Sequence, residues 1–154
     1  MTTTDTIPRT LRINVDGSTE RFDSPVLDVA RQAFDGMTSV VTLAALAVER
    51  DGTVRPLTEG EVVGLNDVED IDYLVGVVHD MGVLEGMPVN PYAWVLYGRS
   101  PIVGPMFIAR DSGQPLPDTL VAMIEAKDQV NEETLNVMTA LVAIKYPDYV
   151  WSQS

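Results

Sequence analysis

Between Glu85 and Gly104 the chain packs three prolines, three glycines and three aromatics into twenty residues, with an Asn and an Arg among them. Proline fixes φ and lacks a donor, and glycine opens conformations closed to other residues, so this stretch specifies its local shape closely. Asn90 followed by Pro91 is an N-cap and first-turn pair, and Gly98 is a C-terminal stop, which together predict a short helix over 91–97. Gly104-Pro105 then interrupts the apolar run from Ile102 to Ala109. A proline inside a strand predicts an edge strand or a bulge there.

The flanking sequence supplies the other elements. Leu11, Ile13 and Val15 alternate, Asp16-Gly17 is a hairpin turn, and Thr19 to Phe22 returns. Ser24 and Pro25 predict a helix start, Val26, Val29, Ala30 and Ala33 recur at helical spacing, and Gly36 is the stop. Thr38 to Arg50 reads as a buried strand ending in an Asp51-Gly52 turn. Residues 53–70 read as an acidic loop with short extended pieces. Tyr73 to His79 is a strong strand, Asp80-Met81-Gly82 turns, and Val83 to Glu85 returns as its partner. Two helices close the chain, Asp118 to Lys127 and one capped by Asn131, with Leu135, Met138, Leu141, Val142 and Lys145 on one face and Pro147 as its stop. The tail aromatics Tyr149 and Trp151 predict docking onto the body or onto a second subunit.

Mixed strands and helices without a βαβ rhythm predict an α+β fold: a mostly antiparallel sheet, helices packed on one face and a C-terminal helical pair at 118–146. The expected organisation is a flexible N-terminus at 1–10 and a single domain at 11–151, in keeping with 154 residues. No apolar run reaches the length of a membrane span, and the N-terminus has no basic and apolar leader. Zero cysteines exclude disulfides, cysteine-ligated zinc and thiol chemistry, and fit a reducing compartment. A soluble cytoplasmic protein is the expectation.

The net charge of −13 disfavours direct binding to nucleic acid. From Pro56 to Gly98 there are eight carboxylates and no Lys or Arg. Within them Asp67, Glu69, Asp70 and Asp72 form the densest group. They read as a solvated acidic face or as a surface for a basic partner, and they lack the glycine and terminal glutamate of a calcium loop. No metal or cofactor is expected.

Catalytic signatures are absent. His79 beside Asp80 could act as a general base, but neighbours on a strand point to opposite faces, and a hydrogen-bonding role at the turn is the expectation. The phosphate-cradling glycine motifs are missing. What remains is Asn90, Tyr92, Trp94, Tyr97 and Arg99 near His79. Stacking aromatics with an arginine, helped by Arg110, would suit a nucleotide-sized ligand. The competing reading makes Trp94 and Tyr97 core residues of a short helix.

The segment Gly86-Met87-Pro88-Val89-Asn90-Pro91-Tyr92-Ala93, followed by Leu96, Gly98 and Ile102-Val103-Gly104, resembles the domain-of-unknown-function family numbered thirty-eight forty-six. These are small proteins common in bacteriophage and mobile-element genomes. Val77-Val78-His79-Asp80 matches that family's strand end and acidic turn, with His79 where Asn is more usual, and the helix ending at Gly36 before a strand also fits. The resemblance covers roughly residues 11–125 and carries no catalytic residues over. It implies a phage-type accessory protein that acts in the host cytosol by stoichiometric binding and not as an enzyme; a homo-oligomer is also expected. The expected action is counter-defence, by sequestering a nucleotide-derived signal or by blocking a host protein. The alternatives are an acidic nucleic-acid mimic, a virion assembly protein and an enzyme built on His79.

Overall fold

A computed structural model describes residues 8–57, 68–83, 85–127 and 130–151. The strands are β1 (Thr10–Ile13), β2 (Thr19–Phe22), β3 (Thr38–Glu49), β4 (Val54–Pro56), β5 (Val68–His79) and β6 (Met106–Arg110). The helices are α1 (Val26–Ala33), α2 (Pro91–Tyr97), α3 (Asp118–Ala126) and α4 (Glu132–Lys145). The strands form one antiparallel sheet in the order β2-β1-β6-β5-β3-β4, and the fold is α+β with α3 and α4 as the C-terminal helical pair.

Register sorts the apolar residues between two faces. Leu11, Ile13, Leu46, Leu74, Met106 and Ile108 point to one face, where α2 and α3 cover them through Ala93, Val121 and Ile124, with Leu116 of the connection before α3. Phe107 and Val77 point to the other, where α1 packs Ala30 and Phe34 on them. The expected one-sided packing therefore describes α2 and α3, while α1 takes the reverse face. β6 lies between β1 and β5 and is apolar on both sides, which explains its unbroken run of buried residues. Gly76 on β5 makes room there, since a Cβ would lie 2.6 Å from the sulfur of Met106.

Several local expectations need correction. β6 is an interior strand: Pro105 stands just before it, so its missing N–H interrupts no ladder. Val103 makes only an isolated bridge to Val89. Val83 and Glu85 do not return as a strand, because the N–H groups of Glu85 and Gly86 donate back to the carbonyls of Met81 and Val83 in consecutive turns. Ser24 does not cap α1: Pro25 holds the N-cap position without a side-chain bond, and the Ser24 carbonyl accepts from the Thr10 hydroxyl at 2.9 Å. Glu69, Asp70 and Asp72 belong to β5, which begins at Val68. β3 is half-buried along most of its length, with a register shift between Thr42 and Ala44.

At the N-terminal end, Pro8 to Thr10 belong to the folded body. The Pro8 carbonyl accepts from Leu116, Arg9 donates to Phe22, and Thr10 is buried. Residues 1–7 of the expected flexible start, most of the expected acidic loop (58–67) and Asp67 lie outside the described residues. The tail docks on the body. The Val150 carbonyl accepts from the Val89 N–H at 2.7 Å, and Tyr149 and Trp151 pack beside Val89, Trp94 and Val103.

Candidate functional site

Asn90 is the tie-point of the segment from Glu85 to Gly104, and it is fully buried. Its Oδ1 accepts from the Ala93 N–H at 3.1 Å, which caps α2. Its Nδ2 donates to the carbonyl of Ile13 at 3.1 Å and to that of Gly104 at 2.9 Å. Its backbone N–H donates to the Ile102 carbonyl at 2.6 Å. One side chain thus joins the end of β1, the start of α2 and the approach to β6. Every polar atom of that amide is spent inside the protein, so Asn90 is a structural residue and not a ligand-binding one.

The aromatics on α2 diverge. Tyr92 and Trp94, two apart on the helix, do not share a face, and Trp94 and Tyr97, three apart, reach different partners, so the density read along the chain does not become a cluster in space. Tyr92 lies on the Asp16-Gly17 turn, with its Cζ 2.7 Å from where a Gly17 Cβ would be. Trp94 is buried against Met138 and Val142 of α4 and meets Tyr146 edge-on at 6.3 Å. Tyr97 turns towards the end of β5. Arg99 is exposed on the connection after α2. Of the six residues expected to bind a ligand, His79 and Tyr97 line a common cavity.

That cavity, of about 190 Å³, lies where β3 begins and β5 ends, beside the connection from α2 to β6. His79, Tyr97 and Ser100 give it polar character, and Val41, Val78 and Ile102 give it apolar walls. His79 does not pair with Asp80. Its Nδ1 accepts from the Met81 N–H at 3.0 Å, which leaves its proton on Nε2, 2.8 Å from Glu85 Oε2. The ring meets Phe34 edge-on at 5.2 Å. Asp80 is exposed, and its N–H donates to the Met37 carbonyl. This is the turn-side hydrogen-bonding role expected of His79, with Glu85 in place of Asp80 as the carboxylate.

The acidic group is also divided. Glu69 and Asp70 are exposed, and as neighbours on β5 they point to opposite faces of the sheet. Asp72 is buried and leaves the surface altogether. Its Oδ2 accepts from Arg110 Nε at 2.8 Å and from the Ser112 hydroxyl at 2.5 Å, and its Oδ1 accepts from the N–H groups of Tyr73 and Ser112. Burial pushes the Asp72 carboxyl up, but the bonds from Ser112, Tyr73 and Arg110 outweigh it and hold it below the usual 3.8. Arg110 holds Asp72 and the Pro115 carbonyl through Nε and Nη1. Among the described residues no three carboxylate or histidine side chains converge where a metal could sit.

A larger opening lies elsewhere. A groove of about 470 Å³ runs between α2 and α4, floored by Trp94 and Met138 and walled by Val95, Thr134, Val137 and Leu141. The sequence reading placed only one face of α4 in contact with the body. Met138 and Val142 do face it, yet Val137 and Ile144 are 55% and 79% exposed. The signal was present in the sequence, because the apolar residues of α4 are too many for a single face. A third opening, of about 210 Å³, lies between α3 and the β3–β4 hairpin. Among the described residues no helix is long and apolar enough to cross a membrane.

Comparison with protein-family models, with curated proteins and with solved structures finds no match to this chain.

Proposed function

We infer that this chain is a non-enzymatic binding protein that acts stoichiometrically on another protein, in the manner of a small phage-type accessory protein that blocks host defence machinery in the cytosol. The observation that carries this reading is the commitment of its polar side chains. Asn90, Asp72 and His79 spend their hydrogen-bonding groups within the fold, and Arg110 is held by Asp72 and the Pro115 carbonyl. Among the described residues His79, which lines the small cavity, holds its Nδ1 on the Met81 N–H and its Nε2 on Glu85 instead of activating a nucleophile. The surface instead presents apolar side chains and a large excess of carboxylates, at a net charge of −13. Such a surface steers towards a partner with a basic face, through an attraction that weakens as salt rises.

The expected nucleotide-binding action survives as a second reading on one observation, the meeting of His79 and Tyr97 in one cavity. At about 190 Å³ this cavity is smaller than the ~300–1,000 Å³ typical of small-molecule sites, so it would take a fragment such as a base and not a dinucleotide. Calorimetry against cyclic dinucleotides, ADP-ribose derivatives and free bases separates the two readings. The protein-binding reading predicts no heat with any of them. A saturable heat that His79→Ala and Tyr97→Leu both abolish would establish the second reading instead.

A further inference from the structure

Along α4 runs a ridge of side chains four residues apart: Glu133, Val137, Leu141 and Lys145, with Leu141 half-buried beside Met138 and the others exposed. Glu133 and Lys145 are exposed, and neither makes an ion pair among the described residues. Ile144, beside the ridge, is the most exposed large hydrophobic residue described, at 79%, and Val137 follows at 55% among the α4 residues. Burial of such side chains in a partner is favourable. The charge order decides what that partner is. Reversed end to end, Glu-Val-Leu-Lys becomes Lys-Leu-Val-Glu, so the ridge is complementary to itself when two copies run antiparallel.

We propose that α4 pairs with α4 of a second copy of this chain in a two-fold antiparallel dimer. The two-fold axis passes level with Thr139, the midpoint of the ridge. Glu133 then lies opposite Lys145 of the partner subunit, and Val137 lies opposite Leu141 of the partner subunit. Thr134, which walls the groove over Trp94, lies opposite Ile144 of the partner subunit. Ridges spaced by four residues interlock at a crossing of about 50°, the commonest helix pairing in globular proteins. The opposed helix dipoles add to the fit, since each helix end meets the oppositely charged end of its neighbour. The groove of about 470 Å³ that is open in the single chain is thereby covered by the second one.

Repulsion between two chains of net charge −13 opposes this pairing, and a crossing of two fourteen-residue helices falls short of the usual ~1,600 Å² interface. The dimer therefore dissociates on dilution and strengthens with added salt, which screens the overall repulsion.

Sedimentation equilibrium of the full chain between roughly 1 and 200 µM tests the proposal. The expected result is a shift from the 16.8 kDa single chain towards twice that mass as concentration rises. Ile144→Ser and Val137→Ser should each weaken association about tenfold or more, with an unchanged thermal midpoint at dilutions where the wild-type chain is single, because both residues are exposed there. Glu133→Lys and Lys145→Glu should each weaken it alone. Mixed together they should form a heterodimer, because each supplies the charge that the other needs. A single chain at every concentration overturns the proposal and leaves the groove to a different protein. A dimer insensitive to Ile144→Ser and Val137→Ser also overturns it, because association then uses another face.

Discussion

The ring of Tyr92 lies so close to Gly17 that a Cβ at that glycine would sit 2.7 Å from Cζ and 3.0 Å from both Cε atoms. Gly17 also has φ of +88°, a conformation that L side chains rarely adopt. The turn of the first hairpin and the helix over 91–97 are therefore shaped to each other across more than seventy residues of sequence. Gly17→Ala should destabilise the fold by about 2–4 kcal/mol, from overlap and backbone strain together. Urea unfolding measures this, and Tyr92→Leu in the same chain should recover part of the loss by removing the overlap.

Asn90 should behave as a scaffold residue. Asn90→Ala leaves the buried carbonyls of Ile13 and Gly104 without their donor and removes the cap of α2, at a cost of about 2–4 kcal/mol. Asn90→Asp should cost at least as much, because a buried carboxylate would face two carbonyl oxygens. Thermal melting of both variants is the measurement. A stable Asn90→Ala protein would remove the structural role assigned to this residue.

The Asp72–Arg110 pair gives the fold an acid-sensitive component. The folded-state carboxyl of Asp72 is held below its usual 3.8, so its contribution to stability is fully present above that pH. It is lost as pH falls below 3.8 through the lowered folded value. Glu125, held below its usual 4.5 chiefly by the hydrogen bond from Arg21, acts in the same direction. Urea unfolding as a function of pH should show stability falling over this window, and Asp72→Asn should flatten the fall. Arg110→Met removes the positive partner of the buried carboxylate and leaves it only the Ser112 and Tyr73 donors, which should cost about 3 kcal/mol at neutral pH.

Trp151 offers a gain. Its Nε1 is buried with no hydrogen-bond partner among the described residues. An unmet buried donor costs about 1–3 kcal/mol, so Trp151→Phe should leave stability unchanged or raise it despite the smaller ring. A loss above about 1 kcal/mol in urea unfolding would show that the indole N–H has a partner.

The elements that were legible in sequence are those whose ends carry local chemistry. Asp16-Gly17, Asn90-Pro91 with Gly98, and Asn131 each mark a turn or a cap that forms as expected. The misread positions depend on distant partners. Glu69, Asp70 and Asp72 looked like loop because charge is rare in strands, yet Asp72 is neutralised by Arg110, thirty-eight residues away in sequence. Pro105 suggested an edge strand, but it precedes the strand that holds the centre of the sheet. The supposed binding cluster failed for a geometric reason. Tyr92, Trp94 and Tyr97 are close along the chain, but the helix turns them towards the first hairpin, α4 and the end of β5 in turn. The groove beside α4 went unread because Trp94 and Val137 are forty-three residues apart.

Native mass spectrometry of the protein purified from host cells tests the central claim most directly. A binding protein of the kind proposed should emerge in a complex with one host protein at fixed stoichiometry, at low salt, with no small molecule attached to the chain itself. A chain that carries a nucleotide-sized adduct and no protein partner would contradict the account.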